Sequence, residues 1–362
     1  MQVKKSFIKR GFIMKYWFKN LVFEGGGAKG VAYLGAIEVL EREGILEKIE
    51  RIGGTSAGAI IALLLGLHYT NKDLEDLILN MNFVKMLLSF KELSYIFKNY
   101  QERILNEFGF LEGDHFYNWI QDRVEEKTNK RNSTFRDIHD RKEKYNFKDM
   151  YFIGANISTG FAKIYSHVDT PDMEVAKAVR ISMSIPGLFT VIRKNKQEDV
   201  CVDGGLINNY PIKIFDRKEY APRYRSETEY YKEYNKILKK IGQEEKKLWM
   251  YNKETLGFKL DSKKEKALFC HNEKPKSIKI KNIIQYGLRI GHTLYDIQSN
   301  IHLHSDDWHR TVYIDTLDVG TLSFMIKKAK KRELVDSGKK CTEEYLKWIN
   351  DLDVTPIPVN RP

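Results

Sequence analysis

Three short stretches of this 362-residue chain carry residue types and spacings suited to acyl transfer. The first is Gly54-Thr55-Ser56-Ala57-Gly58, which follows an apolar strand pattern over 49–53 and opens a helical pattern running through Leu67. A serine on such a strand-to-helix turn stands exposed at the helix start, where the dipole favours developing negative charge. The flanking Gly54 and Gly58 leave room for the tight backbone. The second stretch is Gly25-Gly26-Gly27-Ala28-Lys29-Gly30, again between a strand pattern (Leu21 to Glu24) and a helical one. Such a loop lets backbone N–H groups converge on an oxyanion without an intervening side chain, and Lys29 adds positive charge. The third is Asp203-Gly204-Gly205, closing a strand pattern over 199–202. Its carboxylate can lie beside another backbone and accept the Ser56 proton. Aspartate ordinarily titrates near about 3.9, so that role requires contact with Ser56 and exclusion of solvent.

Other chemistries compete for the same residues. Gly25-x-Gly27-x-x-Gly30 has the form of a dinucleotide-binding loop, but the second strand ends in Gly53-Gly54-Thr55-Ser56, without the acid that would hold a ribose hydroxyl. His292, His302, His304 and His309 follow Ser56 and Asp203 in the chain order of a Ser-Asp-His triad, although 292–302 reads as a helix, a poor setting for a catalytic imidazole. His302, His304, Asp306, Asp307 and His309 resemble a metal site by composition but lack a ligand spacing. No cofactor and no metal are expected.

The elements that must position these groups follow from periodicity. Two successive strand-turn-helix units favour parallel strands covered by helices. Residues 72–145 have a helical period and read as an insertion or lid. The runs 150–156 and 160–166 suggest a hairpin. Thr170-Pro171 starts a helix with proline at its first position, which stops before Pro186. Residues 217–281 are the least patterned, 310–315 reads as a late strand, and 343–352 as a terminal helix.

Glu24-Gly-Gly-Gly-Ala-Lys-Gly30, Gly54-Thr-Ser-Ala-Gly58 and Asp203-Gly-Gly205, in that order, resemble the three signature blocks of the patatin-like phospholipase family, bacterial or viral type. Arg180-Ile-Ser-Met-Ser-Ile-Pro186 and Asn208-Asn-Tyr-Pro211 are similar to further family segments, and Thr255–Leu260 and Arg310–Asp315 resemble C-terminal ones. The one departure is Gly205, where many members have alanine. The resemblance implies a three-layer α/β/α sandwich with a mainly parallel central sheet. It also implies a Ser56–Asp203 dyad without histidine, an oxyanion hole from Gly25, Gly26, Gly27, Ala28, Lys29 and Gly30, and hydrolysis of fatty acyl esters of phospholipids. An esterase or transacylase using the same dyad, and a catalytically silent lipid-binding protein, are the alternatives.

Composition bounds the rest. Hydrophobic residues make up 42% of the chain, enough for a sizeable core, which excludes a disordered or collagen-like chain. Lys plus Arg exceed Asp plus Glu by 61 − 49 = 12. Residues 1–20 hold six cations and no acid, and 217–281 hold 19 basic and 10 acidic side chains, so the remainder sums to 12 − 6 − 9 = −3. Such patches attract phosphates, whether of nucleic acid or of an anionic membrane surface, and composition does not choose between them; the family resemblance implies a phospholipid or membrane surface as partner and no nucleic acid. Phe12, Ile13, Tyr16, Trp17 and Phe18 lie among the first cations, the pairing of an interfacial segment. The longest apolar run, Ala57 to Leu67, has 11 residues against about 20 for a spanning helix, so no transmembrane segment is expected. Cys201, Cys270 and Cys341 form no CxxC pair. The expected setting is cytoplasmic, or secreted without a signal peptide, and peripheral at membranes. The expected domains are a basic tail over 1–19, a catalytic domain over 20–216 with its helical insertion, and a C-terminal region over 217–362 that packs on it and carries a charged insertion.

Overall fold

The computed structural model of the protein describes residues 16–87, 104–193, 199–261 and 306–350, with scattered positions between 277 and 293. Its strands are β1 (Asn20–Phe23), β2 (Arg51–Thr55), β3 (Gly109–Leu111), β4 (Asp149–Asn156), β5 (Phe161–Tyr165), β6 (Gly187–Phe189), β7 (Cys201–Asp203), β8 (Arg225–Ser226), β9 (Tyr251–Asn252), β10 (Thr255–Asp261) and β11 (Thr311–Asp315). Its helices, numbered in chain order, are α1 (Tyr33–Arg42), α2 (Ala57–Gly66), α3 (Asn71–Leu79), α4 (Phe83–Leu87), α5 (Asp114–Thr128), α6 (Phe135–His139), α7 (Lys142–Tyr145), α8 (Val175–Ser182), α9 (Glu229–Lys240) and α10 (Lys328–Asn350).

Seven strands form the central sheet in the order β11-β10-β1-β2-β4-β5, with β7 also on β4. The pairs from β11 to β4 are parallel, and β5 and β7 run antiparallel to β4. This is the mainly parallel sheet that two strand-turn-helix units favour, covered by helical structure. Leu21 and Phe23 of β1 join the large core under α1, α2, α8 and α10, whereas Val22 points to the opposite face against Tyr210, Ile212 and Phe215. Every position of β4 is buried, the signature of a strand covered on both faces. The described residues of the insertion are mostly helical, and they also contribute β3, which pairs with β6.

Four sequence expectations change. Tyr16 and Phe18 are buried in the core, and Trp17 donates from Nε1 to the Lys253 carbonyl at 2.8 Å. These aromatics lead into a central strand and are therefore packed, not interfacial; Phe12 and Ile13 lie outside the described residues. The helix placed at Thr170-Pro171 begins only at Val175. The residues before it are held by α6, whose Phe135 and Arg136 N–H groups donate to the Met173 and Pro171 carbonyls. The segment 217–281 contains α9 and, in β10, a strand lying between β1 and β11. A boundary at 216–217 therefore runs through one sheet, because β10 and β11 complete the sheet of residues 20–216 instead of packing against it. The terminal helix is longer than expected, starting at Lys328 and lying along α1.

Candidate active site

Register explains how residues far apart in sequence meet. β2 pairs with β4 as far as Thr55 opposite Ile153, and β7 pairs with β4 from Gly154 onward, where it faces Asp203. The two strands run in opposite directions, so their ends meet head to head along β4. Ser56 follows Thr55 and Asp203 ends β7, and the two side chains fall into the same gap.

Ser56 has φ 53° and ψ −121°, on the positive side of φ that a residue with a Cβ rarely adopts. The surroundings hold it there. A Cβ at Gly58 would stand 2.3 Å from the Phe23 carbonyl oxygen, so the elbow presses against the end of β1 and admits only glycine. Gly54 packs equally closely on the Gly58 carbonyl. The Ser56 N–H donates to Ser182 Oγ at 3.0 Å, and the Ser182 hydroxyl donates to the Ile153 carbonyl at 2.6 Å. Ser182 thus ties the elbow to β4. It lies in the Arg180–Pro186 stretch, yet nothing in its local sequence signals this role.

The Asp203 carboxylate is buried. It accepts the Gly205 N–H at 2.7 Å and a hydrogen bond from the Ser56 hydroxyl. Burial pushes its pKa up to about 7, against the pull of those two donors, and no cation enters the balance among the described residues.

The glycine loop has narrower possibilities than its sequence implies. The Gly25, Ala28 and Lys29 N–H groups already donate to the Asn209, Thr321 and Gly26 carbonyls at 3.0, 3.0 and 3.1 Å. These three N–H groups are therefore occupied. The Gly26 and Gly27 N–H groups have no acceptor among the described residues. Gly27 has φ 52°, and a Cβ there would lie 2.2 Å from the Thr321 carbonyl oxygen. Gly30 lies within the 3₁₀ turn Gly27–Ala32, against Ala57. Lys29 is buried and its charge acts on Glu24, not on Asp203. The loop is anchored at Glu24, whose Oε2 accepts the Leu260 N–H at 2.7 Å and whose Oε1 lies 3.4 Å from Lys259 Nζ. Burial raises the Glu24 pKa even against the Lys259 charge. Asn209, from the Asn208–Pro211 stretch, donates to the Gly25 carbonyl at 3.1 Å.

A cleft opens beside Ser56 and the loop. Its walls are almost wholly apolar, with Ile60 and Ile61 from α2, Ile78 from α3, Phe116 from α5, and Met183 and Phe189 around β6. Such a space accepts a hydrocarbon chain and repels a charged one.

His292, His302 and His304 lie outside the described residues. His309 sits in the 3₁₀ turn before β11, where Asp307 is engaged by Arg310 at 2.6 Å, so the Asp306–Arg310 part of the suspected metal cluster is an ion-paired turn. A cluster that sequence spacing did not suggest stands at the other end of β4. His139, Asp149 and His167 bring three ligand-type atoms within 4.8 Å of one another. The two imidazoles stack with centroids 4.0 Å apart and planes 8° from parallel, so their in-plane lone pairs run side by side and do not converge.

The patatin-like phospholipase family model matches residues 21–216. The Bacillus subtilis (strain 168) protein YqhO is 27% identical over 340 residues, spanning 90% of this chain and 97% of its own length. A probable lipid hydrolase, 463L, of Invertebrate iridescent virus 6 is 29% identical over 199 residues, 55% of this chain and 63% of the viral protein. The crystal structure of VipD from Legionella pneumophila superposes with a TM-score of 0.53 at 17% identity, covering 91% of this chain and 67% of that one, a likeness of fold.

Proposed function

The chain belongs to the patatin-like phospholipase family, a family of lipid acyl hydrolases, and from that premise we propose that it cleaves fatty acyl esters of phospholipids as a phospholipase A, through a Ser56–Asp203 dyad. The observation that carries this reading is the meeting of the β2 and β7 ends along β4, which gives the strained Ser56 hydroxyl a buried carboxylate as its partner.

Ser56 Oγ attacks the ester carbonyl carbon as its proton passes to Asp203. An aspartate with an ordinary pKa would be a poor acceptor, whereas one near 7 is matched to the working pH. The carbonyl oxygen gains negative charge and is received by the Gly26 and Gly27 N–H groups. Asp203 then returns the proton to the departing alkoxide, which leaves as a lysophospholipid, and the fatty acyl group stays on Ser56. Water attacks this acyl-serine, giving its proton to Asp203. When the intermediate collapses the proton returns to Ser56, and a fatty acid is released.

The apolar cleft supports a fatty acyl chain as the group received. No helix among the described residues is long and apolar enough to cross a membrane. A fluorophosphonate lipid analogue is expected to add one phosphonyl group to Ser56, seen by intact mass and peptide mapping, and to fail on Ser56→Ala. Labelling at another residue, or equal phospholipid turnover by Ser56→Ala, sinks the proposal.

A further inference from the structure

The cleft beside Ser56 has a far wall with a second space behind it. Met81, Met86 and Trp119 line the cleft on one side and an open pocket on the other, the latter bordered by Asn82, Lys85, His115 and Asp122. This outer pocket touches neither Ser56 nor the glycine loop. The three shared residues therefore form a partition between an apolar channel and an open recess whose border carries charged side chains. Met81 precedes α4, Met86 lies on it, and Trp119 comes from α5. The indole is braced, stacked on Phe116 at 6.0 Å between centroids and covered by the Arg123 guanidinium at 5.8 Å.

We propose that this partition is the stop that sets the longest acyl chain the protein cleaves, with Trp119 as its fixed part and the two methionines as its adjustable part. The inference rests on the acyl-ester reading above and adds a specificity to it. With the ester carbonyl held at Ser56, the chain runs along the cleft and each methylene leaves water for an apolar wall. A chain that reaches Trp119 has two ways to accommodate another methylene. It displaces a braced indole, or it pushes its methyl end past the wall into the recess holding Lys85 and Asp122. The first disrupts packing, and the second leaves the methyl end in a recess open to solvent. Methionine's flexible thioether lets Met81 and Met86 close around chain ends of slightly different length, whereas a rigid indole cannot adapt. kcat/KM is thus expected to rise with chain length up to a break and to fall beyond it, by about tenfold or more for each methylene without a place.

The test is kcat/KM over a homologous series of saturated lysophosphatidylcholines, from short to long acyl chains, with wild type, Trp119→Ala and Met86→Trp. Trp119→Ala is expected to move the break to longer chains, raising the ratio of long-chain to short-chain kcat/KM by about tenfold or more. Met86→Trp is expected to move the break to shorter chains. Because Met86→Trp fills space and opens no cavity, it carries the test if Trp119→Ala fails to fold. An unchanged break in the folded variants, with Ser56 still labelled by a short-chain fluorophosphonate, overturns the partition and leaves the dyad standing. Absence of Ser56 labelling in wild type overturns the dyad and the partition with it.

Discussion

Strand β4 has a buried carboxylate at each end, and the two are opposites. At its start, Asp149 receives His139 Nδ1 at 2.6 Å and Lys142 Nζ at 2.9 Å. Burial alone would raise its pKa, but the His139 and Lys142 hydrogen bonds and the charges of His167 and Lys142 outweigh burial and hold it below the usual aspartate value. Near its far end, Asp203 faces Gly154 with only an N–H and a hydroxyl as donors, and burial wins, raising the pKa to about 7. Depth does not set the direction of the shift; the presence of a cation does. Asp149 is a permanent anion that ties α6 and α7 to the sheet. Asp203, on the proposed reading, exchanges a proton with Ser56.

The largest test of this contrast is to neutralise each carboxylate in turn. Asp203→Asn is expected to lower phospholipid turnover by about 10³-fold or more, because the serine loses its proton acceptor, while Asp149→Asn stays within a few-fold of wild type in kcat. Comparable losses in both would erase the functional distinction. In the same assay, replacing His309 by Gln is expected to leave most activity, since the imidazole takes no part in a dyad. A loss as deep as that of Asp203→Asn would favour a triad.

Next in size is Gly27→Ala. The methyl would clash with the Thr321 carbonyl and turn the neighbouring N–H away, at a cost of about 10² to 10³-fold in kcat with a smaller change in KM, the scale of one lost oxyanion donor. A normal kcat in a folded Gly27→Ala protein would show that the loop serves another purpose.

The pH dependence of activity sharpens the comparison. The acid limb of kcat/KM is expected to inflect near 7, as Asp203 loses its proton and becomes able to accept that of Ser56. An inflection near 4 would mean that the carboxylate is solvated in the working enzyme.

Stability should respond with opposite signs at the two ends. The folded pKa of Asp203 lies above its unfolded value, so its contribution is fully present below about 4 and is lost as pH rises through about 7. Asp203→Asn is therefore expected to stabilise the fold at pH above 7, by about 1 to 3 kcal/mol once the altered hydrogen bonds are counted. The folded pKa of Asp149 is lowered, so its contribution is present above the unfolded value and is lost as pH falls through the folded one. Asp149→Asn should cost about 1 to 2 kcal/mol near neutrality, discounted because His139 and Lys142 are about one-third exposed. Thermal unfolding of both variants across pH measures this; shifts of the same sign would contradict the comparison.

Much of the site was legible because its signals are local. A strand pattern running into Gly54-Thr-Ser-Ala-Gly58 specifies a turn that only small neighbours allow, and the Gly25–Gly30 run specifies a helix-start loop, whatever lies elsewhere in the chain. The hairpin of β4 and β5 was readable for the same reason. Where neighbours distant in sequence decide, local patterns misled. Phe18 beside lysines reads as interfacial until β1 takes its place between β2 and β10. Pro171 reads as a helix start until α6 claims its carbonyl. Ser182 carried no signal, since its role consists of two hydrogen bonds to other elements. Within the loop, Gly26 and Gly27 were separated from Gly25 and Ala28 only by the acceptors that Asn209 and Thr321 bring, and from Lys29 by the turn that closes on the Gly26 carbonyl.

The sequence by itself determined the backbone conformations, because steric limits on φ and ψ act over a few residues: the elbow at Ser56, the glycine loop, and the alternation of strand and helix. Only the tertiary structure decided that β7 meets the end of β2 along β4, that β10 and β11 complete the sheet, and that Asp203 ends in an apolar interior without a cation among the described residues while Asp149 ends beside Lys142 and two imidazoles. A pKa is set by the dielectric and the charges within a few ångströms, and those come from segments that the local sequence around either aspartate does not contain.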